Sequence, residues 1–121
     1  AARVAVGPDI APYFTKDASL SQAIAAAAST IDDPVWQLPL HAPYETMIEP
    51  VIADLDNAPS GGFAGAITAA LFLQRFVTDT VQFVHFDCYG WQPTESPARP
   101  KGGVGQGTRA LFQALPEILN L

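Results

Sequence analysis

The stretch that decides the fold is residues 81–88, which read Val-Gln-Phe-Val-His-Phe-Asp-Cys. Their β-branched and aromatic side chains favour a strand, along which successive side chains point to opposite faces of a sheet. Two sets of side chains are therefore expected on opposite faces: Phe83, His85 and Asp87 on one, and Val84, Phe86 and Cys88 on the other.

Helical patterns flank this strand on both sides in the sequence. Residues 63–77 are apolar nearly all the way round, which predicts a helix buried in a larger core or in a subunit interface. A long loop rich in Pro and Gly follows the strand, and a last helix is predicted over residues 108–119. Pro116 is expected to break or restart that last helix.

The N-terminal half adds further predicted elements. Residues 20–31 have an apolar face, with Asp17 or Ser19 as the cap and Asp33-Pro34 as the stop. The remaining predictions are a strand at 3–6 ended by Gly7-Pro8, a loop holding Tyr13 and Phe14, an extended segment at 35–40, and a short helix from Pro43 to Ile48. This order of elements predicts an α/β fold: a partial three-layer α/β/α sheet with flanking helices.

Composition excludes several classes of function. The 121 residues carry only six Lys and Arg and a formal net charge of −6, which argues against nucleic-acid binding. No apolar run reaches the ~18 residues of a membrane span, and no signal-peptide pattern is present. The single cysteine, Cys88, cannot form an internal disulfide, which favours a reducing compartment such as the cytoplasm.

Paired polar residues are the first candidates for chemistry. His85 and Asp87, two apart on the predicted strand, could hold a metal or orient a base, or could satisfy buried hydrogen bonds at the strand end. The absence of a third ligand nearby in sequence favours the hydrogen-bonding role. Asp54 and Asp56 are similarly interpreted as a solvated acidic turn rather than a cation pair. Cys88 would face away from His85, which disfavours a catalytic thiol.

Two further features have a structural interpretation. Residues 101–108 are rich in glycine and open a helix, which could bind an anion, but the sequence matches no phosphate-binding motif. Close backbone packing at a turn is therefore predicted. Trp36, Tyr89 and Trp91 could form a pocket wall, but packing in the core is the default for aromatic residues.

Several segments taken together resemble the leucyl aminopeptidase family of two-metal exopeptidases. The resemblance rests on their order and spacing over essentially all of the chain. The segments are residues 1–7 (AARVAVG), 36–40 (WQLPL), 52–57 (IADLDN), 61–73 (GGFAGAITAALFL), 84–87 (VHFD) and 100–103 (PKGG).

This resemblance implies a cytoplasmic enzyme that removes N-terminal residues, often leucine, from peptides. Family members use two divalent ions, zinc or manganese, and assemble as homohexamers. Their catalytic domain follows a separate N-terminal domain. Residues 1–121 are accordingly expected to be the C-terminal fragment of such a catalytic domain. We call the longer protein expected to contain them the parent protein. A start at Ala1 inside a predicted strand also suggests a fragment.

The family's metal ligands and catalytic arginine come from a Lys–Asp segment and an Asn-Thr-Asp-Ala-Glu-Gly-Arg segment, neither of which occurs in this chain. No catalytic or metal-binding residue can therefore be assigned here, and the chain alone is expected to bind no metal and to be inactive. The resemblance does assign part of the pocket for the substrate's first side chain. The assigned positions are Tyr89, Gly90, Trp91 and Gln92.

The identity of one pocket residue bears on specificity. Better-known members often have Ala at the position of Tyr89, so the pocket here is expected to be narrower, or to favour a polar or smaller residue than leucine. Gly7 and the first alanines should lie near the substrate channel. Two alternatives stay open: a noncatalytic module that binds peptides or assembles with other subunits, and a local metal site formed by His85, Asp87 and a distant partner such as His41.

Overall fold

A three-stranded sheet lies at the centre of the protein in a computed structural model, which describes residues 1–79 and 81–121. Strand β1 (Ala11–Phe14) is the middle strand. It pairs in parallel with β2 (Val35–Gln37) and antiparallel with β3 (His85–Phe86). The other elements are helices α1 (Ala2–Val6), α2 (Ala18–Ile31), α3 (Gly65–Gln74) and α4 (Thr108–Ile118), the 3₁₀ helix Ala42–Ile48, and a ladder of β4 (Trp91–Gln92) with β5 (Gly102–Gly103).

Helices cover both faces of the sheet, so the predicted α/β/α layering is observed. The two faces are set by adjacent residues of β1, because neighbouring side chains on a strand point in opposite directions. Tyr13 packs against α2 and α4, in a cluster with Ile24 and Ala114. Phe14 packs on the other face against α1 and α3. Both aromatic rings are fully buried and link the layers.

Helix α2 forms where the sequence predicts it, and Asp17 is its cap. The Asp17 Oδ1 atom accepts hydrogen bonds from the backbone N–H groups of Ser19 (2.9 Å) and Leu20 (3.0 Å). These two donors have no partner within the helix, so the cap satisfies part of its first turn. The 3₁₀ helix with its early proline and the extended segment at β2 are also as predicted.

The predicted strand at residues 3–6 is wrong, because these residues form α1. An alternation of four residues is too short to separate strand from helix, and Ala and Arg are strong helix formers. Packing of Ala2 into the Phe14 cluster decides the outcome, whereas Val4 is 91% exposed. Ala1 therefore precedes a helix and not a strand.

The predicted loop at Tyr13 and Phe14 is also wrong, since both lie in β1. Pro12 made this segment resemble a loop, because proline cannot donate a backbone hydrogen bond. Its carbonyl oxygen instead accepts from the Asp87 N–H at 3.0 Å, which ties the centre of the sheet to the end of β3.

Strand β3 is shorter than predicted, two residues in place of eight. It pairs with Tyr13 and Phe14 of β1, and the Asp87 N–H adds one hydrogen bond to Pro12 beyond its end. Pro116 lies inside α4, which continues to Ile118, so the predicted break is wrong. One proline near the end of a helix removes a single N–H donor and leaves the preceding turns intact.

Helix α3 confirms the helical pattern, but its surroundings cover only part of it. Ala66, Ala70 and Leu71 are buried, whereas Leu73 on the helix and Phe76 just after it are exposed. Burial of the whole apolar surface in a larger core or in a subunit interface stays a prediction. No helix among the described residues is long and apolar enough to cross a membrane.

Candidate functional site

The four residues assigned to the substrate pocket comprise the turn at Tyr89 and Gly90 and the strand that it enters, β4. Trp91 and Gln92 pair with Gly103 and Gly102 in the two-stranded ladder. Gly90 has a φ of +61°, a conformation that glycine adopts without strain. The turn therefore holds its neighbours, Tyr89 and Trp91, in a fixed relation to the ladder.

The Tyr89 ring lies beside the first helix. The Arg3 guanidinium stands over this ring, with its Cζ atom 4.3 Å from the ring centroid, which is within the range of a cation–π contact. Next to this pair is a cavity of about 220 Å³. It is lined by Ala1, Arg3, Val4, Asp87, Cys88 and Tyr89. Tyr89 and the chain's first residues thus line one cavity.

Gln106 connects the same turn to the segment after α1. Its Oε1 atom accepts the N–H of Gly90 at 2.7 Å, and its Nε2 atom donates to the carbonyl oxygen of Pro8 at 2.6 Å. The Gly90 carbonyl in turn accepts from the Val104 N–H at 3.1 Å. Sequence reasoning missed this side chain, which lies in the glycine-rich stretch that was interpreted only as a turn.

His85 and Asp87 face a second cavity, of about 380 Å³, on the side of α3. Both residues line it, as the predicted alternation requires, together with Asp56 and Asn57. The His85 ring stacks on Phe14, with ring centroids 5.9 Å apart. Burial lowers the pKa of His85, an effect that the nearby Asp87 charge partly opposes. This favours a neutral imidazole at neutral pH.

The residues that the structure describes do not form a metal site. Nowhere in residues 1–79 and 81–121 do three or more His, Cys, Asp or Glu side chains come together in a way that could hold a metal ion. The donors among these described residues therefore do not fit a pair of divalent cations. His41 packs its ring edge-on against Tyr44, 4.6 Å between centroids, so the alternative of a local site with His85 and Asp87 finds no support.

In the acidic pair Asp54 and Asp56, the Asp56 side chain has a structural role. The Asp56 Oδ1 atom accepts the N–H of Ala58 at 2.9 Å, which closes a turn, and this agrees with the predicted loop. Cys88 lines the smaller cavity and His85 the larger one, so the two residues do not form a nucleophile–base pair.

The glycine-rich stretch 101–108 ends in a closely packed turn, as predicted. A Cβ atom at Gly107 would lie 2.9 Å from the Phe86 ring. The first turn of α4 is occupied by the Asp33 carboxylate, which accepts from the N–H groups of Gly107, Arg109 and Ala110 at 3.0–3.1 Å. The helix N-terminus therefore binds an anion from the chain itself.

Core packing was the predicted role of three aromatic residues, and this prediction is wrong. Trp36 is 61% exposed, Trp91 45% and Tyr89 37%. Trp36 lines a groove beside α2, whereas Tyr89 lines the cavity next to α1. Trp36 is thus separate from the turn that carries Tyr89 and Trp91.

Comparison with known sequences decides the family. The sequence model described as "Cytosol aminopeptidase family, catalytic domain" matches residues 1–112. The chain belongs to the cytosol aminopeptidase family. It is 44% identical over 115 residues to a probable cytosol aminopeptidase of Roseiflexus castenholzii, an alignment that covers 93% of this chain and 23% of that protein.

Solved structures give the same relationship at the level of the fold. The cytosol aminopeptidase of Coxiella burnetii superposes with a TM-score of 0.88 at 44% identity, over 97% of this chain and 26% of that one. The bottromycin maturation enzyme BotP, in complex with Mn, superposes with a TM-score of 0.87 at 33% identity, over 98% and 26%. The chain thus spans about a quarter of the length of the relatives that it matches.

Proposed function

We propose that this chain is the C-terminal part of the catalytic domain of a metallo-aminopeptidase, which removes N-terminal residues from peptides. The observation that carries the proposal is the family match over residues 1–112, together with the superposition of 97% of the chain on an aminopeptidase from Coxiella burnetii. The reaction belongs to the parent protein, since the chain corresponds to only about a quarter of its relatives.

The parent protein is proposed to hold two divalent cations, zinc or manganese, with ligands from segments outside residues 1–121. The donor set of the described residues does not fit such ions, and a relative of similar fold is known in complex with Mn. When bound, a pair of cations supplies an activated water and stabilises charge on the attacked carbonyl group. No residue of this chain is assigned a catalytic role.

This chain is proposed to contribute one wall of the pocket for the substrate's first side chain. The wall is formed by Tyr89, Gly90, Trp91 and Gln92, with Arg3 stacked on the Tyr89 ring. A phenol ring at this position takes up space that a leucine side chain would otherwise fill. Smaller or more polar N-terminal residues are therefore the proposed substrates, and the catalytic constellation is positioned elsewhere in the parent.

The parent is further proposed to act in the cytoplasm as a homohexamer. The relatives are named cytosol aminopeptidases, which supports the location. The exposed apolar residues around α3 support further contacts, either within the parent or between its subunits. Size-exclusion chromatography with light scattering on the parent protein tests the assembly. A mass that differs from that of six subunits contradicts a hexamer.

The experiment that tests the function compares the parent protein with the 121-residue chain on chromogenic amides of leucine and alanine. We expect the parent to release the chromophore in the presence of Zn²⁺ or Mn²⁺, to stop when a chelator is added, and to recover when metal is restored. The isolated chain is expected to show no turnover under any of these conditions. Sustained, chelator-sensitive turnover by the isolated chain would contradict the proposal, and so would a parent without peptidase activity.

A further inference from the structure

The side-chain amide of Gln106 joins two backbone segments that are far apart in the sequence. Its oxygen accepts from Gly90, 16 residues earlier, and its nitrogen donates to Pro8, 98 residues earlier. Both contacts, 2.7 Å and 2.6 Å, are at the short end for hydrogen bonds with a nitrogen donor. The amide of this half-buried side chain is thus held at both its oxygen and its nitrogen.

These contacts determine the backbone conformation of the proposed pocket wall at Gly90. Gly90 has one N–H and one C=O group, and the first is held by Gln106 and the second by Val104. With both groups engaged, the left-handed conformation of Gly90 is fixed from outside the turn. The orientation of that turn sets the direction in which Tyr89 leaves the backbone.

The Pro8 contact closes the arrangement on the other side. Pro8 follows α1 after one residue, and α1 carries Arg3, whose guanidinium lies over the Tyr89 ring. Gln106 therefore connects to Tyr89 by two routes, one through Gly90 and one through Pro8 and α1. Loss of the amide releases both, so the ring can move away from the cavity that it lines.

We propose that Gln106 is a positioning residue that holds Tyr89 in place and thereby keeps the substrate pocket narrow, which favours small over large N-terminal side chains. The inference rests on the proposed function, because it assumes that residues 89–92 line the pocket. The chemistry calls for a neutral amide. Glutamate would still accept from Gly90 but, when ionised, could not donate to Pro8, and methionine could do neither.

The test uses the parent protein with Gln106→Met and measures kcat and KM for alanine and leucine amides. We expect the ratio of kcat/KM for leucine to that for alanine to rise about fivefold, the size of effect that one or two lost hydrogen bonds produce. The change should lie mainly in KM, since no reacting atom is touched. Gln106→Glu should change the ratio in the same direction by a smaller factor.

Gln37→Met is a matched control on the far side of the sheet. Gln37 also accepts at Oε1, from the Ser21 hydroxyl at 2.7 Å, and donates from Nε2, to the Thr15 carbonyl at 3.2 Å. A general loss of stability would affect both variants and would lower activity on the two substrates equally. The inference is overturned if the leucine-to-alanine ratio of kcat/KM falls in Gln106→Met. It is also overturned if that ratio stays within about twofold of the ratio in Gln37→Met.

Hydrogen–deuterium exchange of the parent separates this inference from the proposed function. The Gly90 amide is expected to be protected in the wild type and in Gln37→Met, and to exchange faster in both Gln106 variants. If the wild type hydrolyses neither amide, the proposed function fails. Unchanged exchange at Gly90 in Gln106→Met and Gln106→Glu overturns the positioning role whether or not the parent is active.

Discussion

Asp33 holds the first turn of α4 from a position 74 residues before Gly107. Its side chain is only 5% exposed, and its carboxylate accepts three backbone N–H groups at the start of that helix. Asp33→Ala would leave these donors without an acceptor in a buried setting. We expect the free energy of unfolding, measured by urea denaturation, to fall by about 3 kcal/mol.

Asp33→Asn is the graded control for this prediction. The amide keeps one acceptor oxygen but turns an NH₂ group toward the helix N–H groups, so its stability should lie between those of wild type and Asp33→Ala. The Arg109 guanidinium, 3.9 Å from the carboxylate, also loses its ion-pair partner in both variants but keeps its hydrogen bond to the Asp32 carbonyl. Equal unfolding midpoints for all three proteins would show that α4 does not depend on this carboxylate.

Single residues with a local signal could be predicted, and those with a distant partner could not. The Asp17 cap is evident from the sequence because its carboxylate and the backbone N–H groups that it accepts from lie within three residues of each other. Asp33 and Gln106 act on segments that no local pattern connects to them. Asp33 was therefore predicted only as part of the stop of α2 and Gln106 only as part of a turn, although the close packing at Gly107 that Asp33 supports was predicted from its glycine-rich surroundings.

Helix α2 depends on the ionised form of its cap. Hydrogen bonds from Leu20, Ser19 and Gln82 to the Asp17 carboxylate lower its pKa from 3.8 to about 2. A group whose pKa is lower in the folded state stabilises that state above its unfolded pKa. The contribution is lost as pH falls through the folded value. We therefore expect the melting temperature to decline between pH 3.8 and about 2. The measurement is thermal unfolding monitored by the helical circular dichroism signal.

Asp17→Asn tests this assignment, because asparagine caps a helix but does not titrate. The decline in melting temperature over the same acidic range should be shallower in Asp17→Asn than in the wild type. Glu117→Gln, which removes an exposed carboxylate from α4, is the control and should follow the wild-type profile. Identical acid profiles for Asp17→Asn and wild type would rule out Asp17 as the titrating group.

At the scale of elements, periodicity and caps were sufficient for the long helices but not for the strands. Helices α2 and α4 repeat an apolar face over 14 and 11 residues, and α3 is a run of ten mostly apolar residues. Strand β1 has four residues and contains a proline, so its burial on both faces comes from the layers that it joins and not from its own pattern. Strand β3 is likewise defined by its pairs with Tyr13 and Phe14 and not by the longer alternating pattern of residues 81–88.

At the scale of the whole molecule, the layers leave several large apolar side chains uncovered. Val51, Ile52, Phe63 and Phe76 are 68–100% exposed; the first three lie between the 3₁₀ helix and α3, and Phe76 lies just after α3. Contiguous exposed apolar side chains mark surfaces that contact other protein. In the parent protein these residues are proposed to contact the rest of the chain or another subunit.

The isolated 121-residue chain should therefore self-associate. We expect its sedimentation coefficient to rise with concentration, because burying these side chains between copies removes apolar area from water. Phe63→Ser combined with Phe76→Ser should weaken association at least about tenfold, since each buried aromatic side chain contributes ~1.5–3 kcal/mol. Ser29→Ala with Thr30→Ala, on the exposed face of α2, is the control and should associate like the wild type. A chain that stays monomeric at every concentration would show that these residues do not form a contact surface.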